Sequence, residues 1–181
     1  ESAALNTILA NNYYTALPTI QDKNRLIIQA KKAIDLYDKS IKIYPSKGAY
    51  NEKATILYRV YNDVKAAEEN YQKALKMDSA YHIARENLAI IYEETGRSEQ
   101  SISTLKILLK KDPKRTYMYG RLAKQLSDKG EYDEAIKWLG YGLNENANNF
   151  EITLNKANVL YTMKQYDKAI KWYEKALQIQ P

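Results

Sequence analysis

Histidine occurs once in the 181 residues, at His82, and cysteine does not occur at all. Thiolate nucleophiles and disulfides are therefore excluded. A lone imidazole without sulfur ligands cannot fill a tetrahedral zinc site. His82 falls at the predicted start of a helix, where a solvent-facing role is expected. Adjacent carboxylates such as Glu93 and Glu94 diverge around a helix and cannot converge on one proton. No glycine-rich phosphate loop precedes a helix. The asparagine-rich stretch Asn144 to Asn149 offers one carboxylate, Glu145, where a calcium loop needs several. These residues predict no catalytic centre, no metal site and no cofactor.

The chain is organised instead by a repeat, clearest in its last stretch. With Phe150 as position 1, small residues fall at Ala157, Ala169 and Ala176, and large apolar ones at Leu160, Tyr166, Tyr173 and Leu177. Counting back gives frames that start at Thr116, His82 and Gly48, each step being 34 residues. Position 8 holds Thr55, Ala89, Ala123 and Ala157; position 20 holds Ala67, Ser101, Ala135 and Ala169; position 24 holds Tyr71, Leu105, Leu139 and Tyr173. Small side chains let two helices approach where they cross, and large ones fill the neighbouring holes. Gly96 and Gly130 mark the turn between paired helices, and Pro113 and Pro181 follow the second helix.

This pattern resembles the tetratricopeptide repeat family, whose period is 34 residues. The resemblance covers residues 48–181 and implies an all-α, right-handed superhelical solenoid of antiparallel helix pairs, about ten helices in all. Repeats are expected at 48–81, 82–115, 116–149 and 150–181, after a divergent helical pair at 1–47. In the N-terminal region, Leu5, Ile8, Leu9 and Tyr13 form one apolar stripe, Leu17-Pro18 breaks it, and Asp22 is the expected cap of a helix running to about Tyr44. Departures from the repeat pattern are Leu108 and Gly142 at a usually small position, Lys156 at a usually apolar one, and Asn62 and Lys164 in place of the turn glycine. Trp138 and Trp172 share position 23 and are expected on equivalent, partly exposed sites.

The resemblance also implies where partners bind. In the family, one face of each first helix lines a concave groove for extended or helical peptides. That role falls on Lys53, Ile56 and Arg59; on Glu86, Asn87, Ile90 and Glu93; on Tyr117, Arg121 and Lys124; and on Leu154, Asn155, Asn158 and Tyr161. Some members clamp a chaperone's carboxyl terminus. Asn87 and Arg121 match two of those registers, but Glu52, Ile56 and Tyr117 stand where lysine, asparagine and lysine are wanted, so that assignment is rejected. Other members hold a peptide backbone with asparagine amides, and Asn87 and Asn155 fit that mode, although Lys53 and Arg121 interrupt the row. An amide offers both a donor and an acceptor.

The expected function is therefore a non-catalytic scaffold that binds a protein or an extended peptide. The alternative is a repeat segment of a larger enzyme such as a glycosyltransferase. Net charge is +6, from 28 basic and 22 acidic residues spread along the chain; this reads as a solvated surface, and no nucleic acid is expected. No apolar run reaches membrane-spanning length. Cytoplasm and periplasm are both compatible with the composition. The chain starts at Glu1 and ends at Pro181 without a polar capping helix, which predicts a fragment or processed form and possible self-association through its C-terminal end.

Overall fold

The computed structural model of the chain describes residues 2–181. Ten α-helices form among them: α1 (Ala3–Ala16), α2 (Lys23–Ile43), α3 (Lys47–Arg59), α4 (Val64–Met77), α5 (His82–Glu94), α6 (Ser98–Lys111), α7 (Thr116–Asp128), α8 (Tyr132–Glu145), α9 (Phe150–Thr162) and α10 (Tyr166–Ile179). A single 3-10 turn, Leu17–Thr19, follows α1. Helices α1 and α2, α3 and α4, α7 and α8, and α9 and α10 pack as sequential pairs, and the chain falls into two compact units, Glu1–Ile91 and Tyr92–Pro181.

Helix starts and stops follow local chemistry. Asp22 caps α2 by accepting from the Arg25 amide at 2.6 Å, and Asp63 caps α4 by accepting from Ala66 at 3.0 Å. Four turns within pairs use a left-handed residue: Asn62 (φ 54°), Gly96 (72°), Gly130 (80°) and Lys164 (60°). The same backbone thus forms with or without glycine. At three of the turns the third amide beyond the helix bonds back five residues, from Arg97 to Tyr92, Glu131 to Leu126 and Gln165 to Leu160. Those bonds satisfy carbonyls that the helix end leaves free.

In the first unit, α1 packs on α2, α3 on α4, and α3 also meets α1 and α2. Its core combines alanines with buried tyrosines: Ala30, Ala33, Ala67 and Ala74 beside Tyr37 and Tyr71. Burial pushes the pKa of both phenols up. Each phenol is hydrogen-bonded, Tyr37 donating to Asn11 Oδ1 at 2.7 Å and Tyr71 lying 2.9 Å from the Thr55 hydroxyl. Most of the apolar stripe of α1 faces outward, since Leu5, Ile8 and Leu9 are exposed and only Tyr13 packs against the core. Small and polar residues pack instead: Ala10 is fully buried, and Thr7 bonds Ser40 at 2.6 Å. The close crossing of α1 and α2 leaves no room for leucine on the inner side.

In the second unit, α7 packs on α8 and α9 on α10, with further packing of α6 on α7, α8 on α9 and α7 on α9. Leu105, Leu108, Leu109, Met118, Leu122, Leu126 and Leu139 are buried. Gly142 marks a close approach: a Cβ there would lie 2.7 Å from Ile152 Cδ1 and 2.8 Å from the Tyr119 ring. The two tryptophans are not equivalent. Trp138 is only 7% exposed, with Tyr119 and Tyr141 at ring-centroid distances of 6.3 and 5.5 Å. Trp172 is half-buried. Their shared register meets different neighbours, because the residue four before Trp138 is Glu134, which accepts its indole N–H at 3.3 Å, whereas the residue four before Trp172 is Lys168.

Candidate functional site

Each unit carries a cleft along the first helices of its pairs. In the second unit the cleft is about 550 Å³, with Tyr117, Gly120, Arg121, Lys124, Asn155 and Asn158 on its walls. Helical spacing puts Tyr117, Arg121 and Lys124 on one side of α7, and Asn155 and Asn158 on the facing side of α9. Gly120 sets the width, since a Cβ at that position would come within 2.6 Å of Asn155 Nδ2. Any larger residue on α7 would displace the amide.

The cations of this cleft are already paired, while Glu151 on its wall makes no ion pair among the described residues. Arg121 Nη1 donates to Glu93 Oε2 at 2.7 Å, and Lys124 pairs with Asp128 at 3.0 Å. Both pairs are exposed and contribute little to stability. Arg121 retains further N–H donors beyond the one used on Glu93. Asn158 Oδ1 accepts from the Tyr173 hydroxyl at 2.7 Å. Asn155 is half-buried, and its amide makes no hydrogen bond among the described residues. A half-buried amide without a protein partner keeps one acceptor and two donor positions for a ligand.

The cleft of the first unit is about 560 Å³ and has Tyr14, Leu17, Leu26, Glu52, Arg59 and Asn87 among its wall residues. A relay crosses it: Asn87 Nδ2 donates to Asn51 Oδ1 at 3.3 Å, and Asn51 Nδ2 donates to Glu52 Oε1 at 3.0 Å. The Tyr14 phenol lines the same cleft, and its pKa is raised by burial first and by the charge of Glu52 second. Buried Ile56 completes the floor.

Of the residues expected on the binding face, Arg59 and Asn87 line the first cleft, and Tyr117, Arg121, Lys124, Asn155 and Asn158 line the second. Glu93 reaches the second cleft through Arg121. Lys53 pairs with Asp38 on α2 and lies outside the clefts. Glu86 and Ile90 are half-buried and line neither cleft. Tyr161 is exposed and meets Tyr166 edge-on at 5.5 Å. Glu52, Gly120 and Tyr14 were missed as groove residues. Glu52 and Gly120 share position 5 of the repeat, a signal that was available; Tyr14 lies before the regular frames and carried none.

The tetratricopeptide repeat family is matched twice, by one model over residues 151–181 and by another over 61–125. Among curated proteins none matches the sequence. Solved structures share the fold. MamA from Desulfovibrio magneticus RS-1 (residues 41 to end) is 10% identical, with TM-score 0.74, over 97% of this chain and 95% of that one. PilF of Pseudomonas aeruginosa is 21% identical, with TM-score 0.70, over 97% and 78%. YrrB, described as a repeat protein of this kind with an unusual peptide-binding site, is 20% identical, with TM-score 0.70, over 100% and 93%. No described helix is long and apolar enough to cross a membrane.

Proposed function

Because the chain belongs to the tetratricopeptide repeat family, whose repeats generally serve protein–protein interaction, we infer that it is a non-catalytic scaffold holding an extended peptide against its first helices. The principal seat is the cleft between α7 and α9. The observation that carries this reading is Asn155: its amide is half-buried, lacks a protein partner among the described residues, and lies against a glycine that keeps its place open. An extended backbone offers the matching donor and acceptor. The paired charges around it favour a peptide that is neutral or of mixed charge over one that is uniformly acidic or basic.

The partner recovered by pull-down with the chain provides the test, as a titration against variants. Asn155→Ala with Asn158→Ala should weaken binding roughly tenfold to a hundredfold, the effect of losing one or two hydrogen bonds of about 1–1.5 kcal/mol each. Arg121→Glu should weaken it as well and alter the salt dependence. Circular dichroism should be unchanged in both variants. Unaltered affinity in every variant removes the α7–α9 seat.

A specific observation also favours self-association. Tyr166, Ile170 and Leu177 are exposed on one side of α10, and a contiguous apolar patch invites contact. Sedimentation should show a concentration-dependent oligomer that Ile170→Glu with Leu177→Glu returns to monomer. A wild-type chain that stays monomeric at high concentration contradicts the reading.

A further inference from the structure

Position 7 of the first helices holds Ala54, Leu88, Leu122 and then Lys156. The first three are buried. The fourth puts a cation where the register places core, and Lys156 is half-buried. Its ammonium lies 4.1 Å from the centroid of the Trp172 ring, and that of Lys175 lies 5.0 Å from the same centroid. None of the ion pairs of the described residues includes Lys156, Lys168 or Lys175. Burial, and then the neighbouring Lys175, lower the pKa of Lys156.

The preceding repeat has buried Leu122 at position 7 and a carboxylate beside its tryptophan. There, Lys106 pairs with Glu134 at 2.8 Å, and Glu134 also takes the indole N–H of Trp138. In the last repeat the residue matching Glu134 is Lys168. The groove between α8 and α10, floored by α9, therefore has Lys156 over the face of Trp172, Lys168 on its wall, Lys175 beside the ring and Asp133 as its one carboxylate. Its volume is about 310 Å³, and Ile136, Leu160 and Met163 supply apolar walls.

A half-buried ammonium without an anion has lost hydration that the ring face returns only in part. A carboxylate entering the groove would complete its coordination. We propose that the groove between α8 and α10 is a docking site for an acidic segment of a protein partner, in which a carboxylate pairs with Lys156 and an apolar neighbour lies against Trp172 and Leu160. The apolar walls reward a side-chain-bearing peptide over a hydrated phosphodiester. The site shares no wall residue with the α7–α9 cleft, so either can fail without the other.

The probe is a fluorescein-labelled short peptide of alternating glutamate and leucine, titrated with the whole chain and read by fluorescence anisotropy. Lys156→Leu restores the apolar register; it should weaken binding roughly tenfold or more without lowering the thermal midpoint. Lys168→Glu with Lys175→Glu, two changes on the outside of α10, should abolish binding. Lys156→Arg should retain it. Lys65→Leu, which removes an exposed lysine on α4, should leave it unchanged and so separate docking from general attraction. The proposal is overturned if the wild-type chain shows no saturable binding, or if Lys156→Leu binds as tightly as wild type. Equal binding of a lysine–leucine peptide, or equal competition by an oligothymidylate, overturns it too.

Discussion

Tyr71→Ala is expected to destabilise the first unit by about 3–5 kcal/mol, the range for deleting a buried aromatic ring. Tyr71 is 1% exposed at position 24 of the repeat, among alanines whose size leaves the ring to fill the space between α3 and α4. Removal leaves a cavity that helices held by short turns cannot close. It also takes a hydrogen-bond partner from Thr55, which keeps only its bond to the Asn51 carbonyl at 3.0 Å. Tyr71→Phe isolates that second loss and should cost about 0.5–1.5 kcal/mol. Denaturant titration of the two variants measures both. If the alanine variant loses less than the phenylalanine range, the ring does not carry the packing of this pair.

Two glycines in α8 should respond to alanine with opposite signs. At Gly142 the added methyl would overlap the Tyr119 ring and Ile152. The ring cannot swing aside, because Tyr119 is buried against Trp138. Overpacking of this kind costs about 1–3 kcal/mol, enough to outweigh the better helix propensity of alanine. At Gly140 nothing lies within 4 Å of the added methyl, so only the propensity gain of about 0.5–1 kcal/mol remains. Thermal midpoints of the two variants should therefore move apart from wild type. Two stabilised variants would show that α8 and α9 are farther apart than described.

Particular residues show how far the pattern could be read. Asp22, Gly96 and Gly130 act on their own neighbours in sequence, and their cap and turns form as the sequence predicts. Asn62 and Lys164 adopt the same left-handed turn that glycine does, because the packing of the flanking helices holds the connection. The α1 stripe and the tryptophan register show a common limit. Spacing shows that Leu5, Ile8 and Leu9 share a side, but not which side meets α2. It also gives Trp138 and Trp172 one register while saying nothing of the Glu134 or Lys168 beside them.

The candidate site was legible only as a set of positions. Helical spacing put Tyr117, Arg121 and Lys124 on one side of α7, and Asn155 with Asn158 on one side of α9. That Arg121 is tied to Glu93, that Lys53 turns to Asp38, and that Gly120 gives way to Asn155 are facts between helices. Period, caps and turn residues are local properties, and the sequence by itself determined through them the all-helical repeat, its turns and its family. Which face of each helix is buried, and which side chains converge in a cleft, depends on the distance and rotation at which neighbouring helices settle. Those are set by the sum of packing contacts across the pair, so the tertiary structure alone decided them.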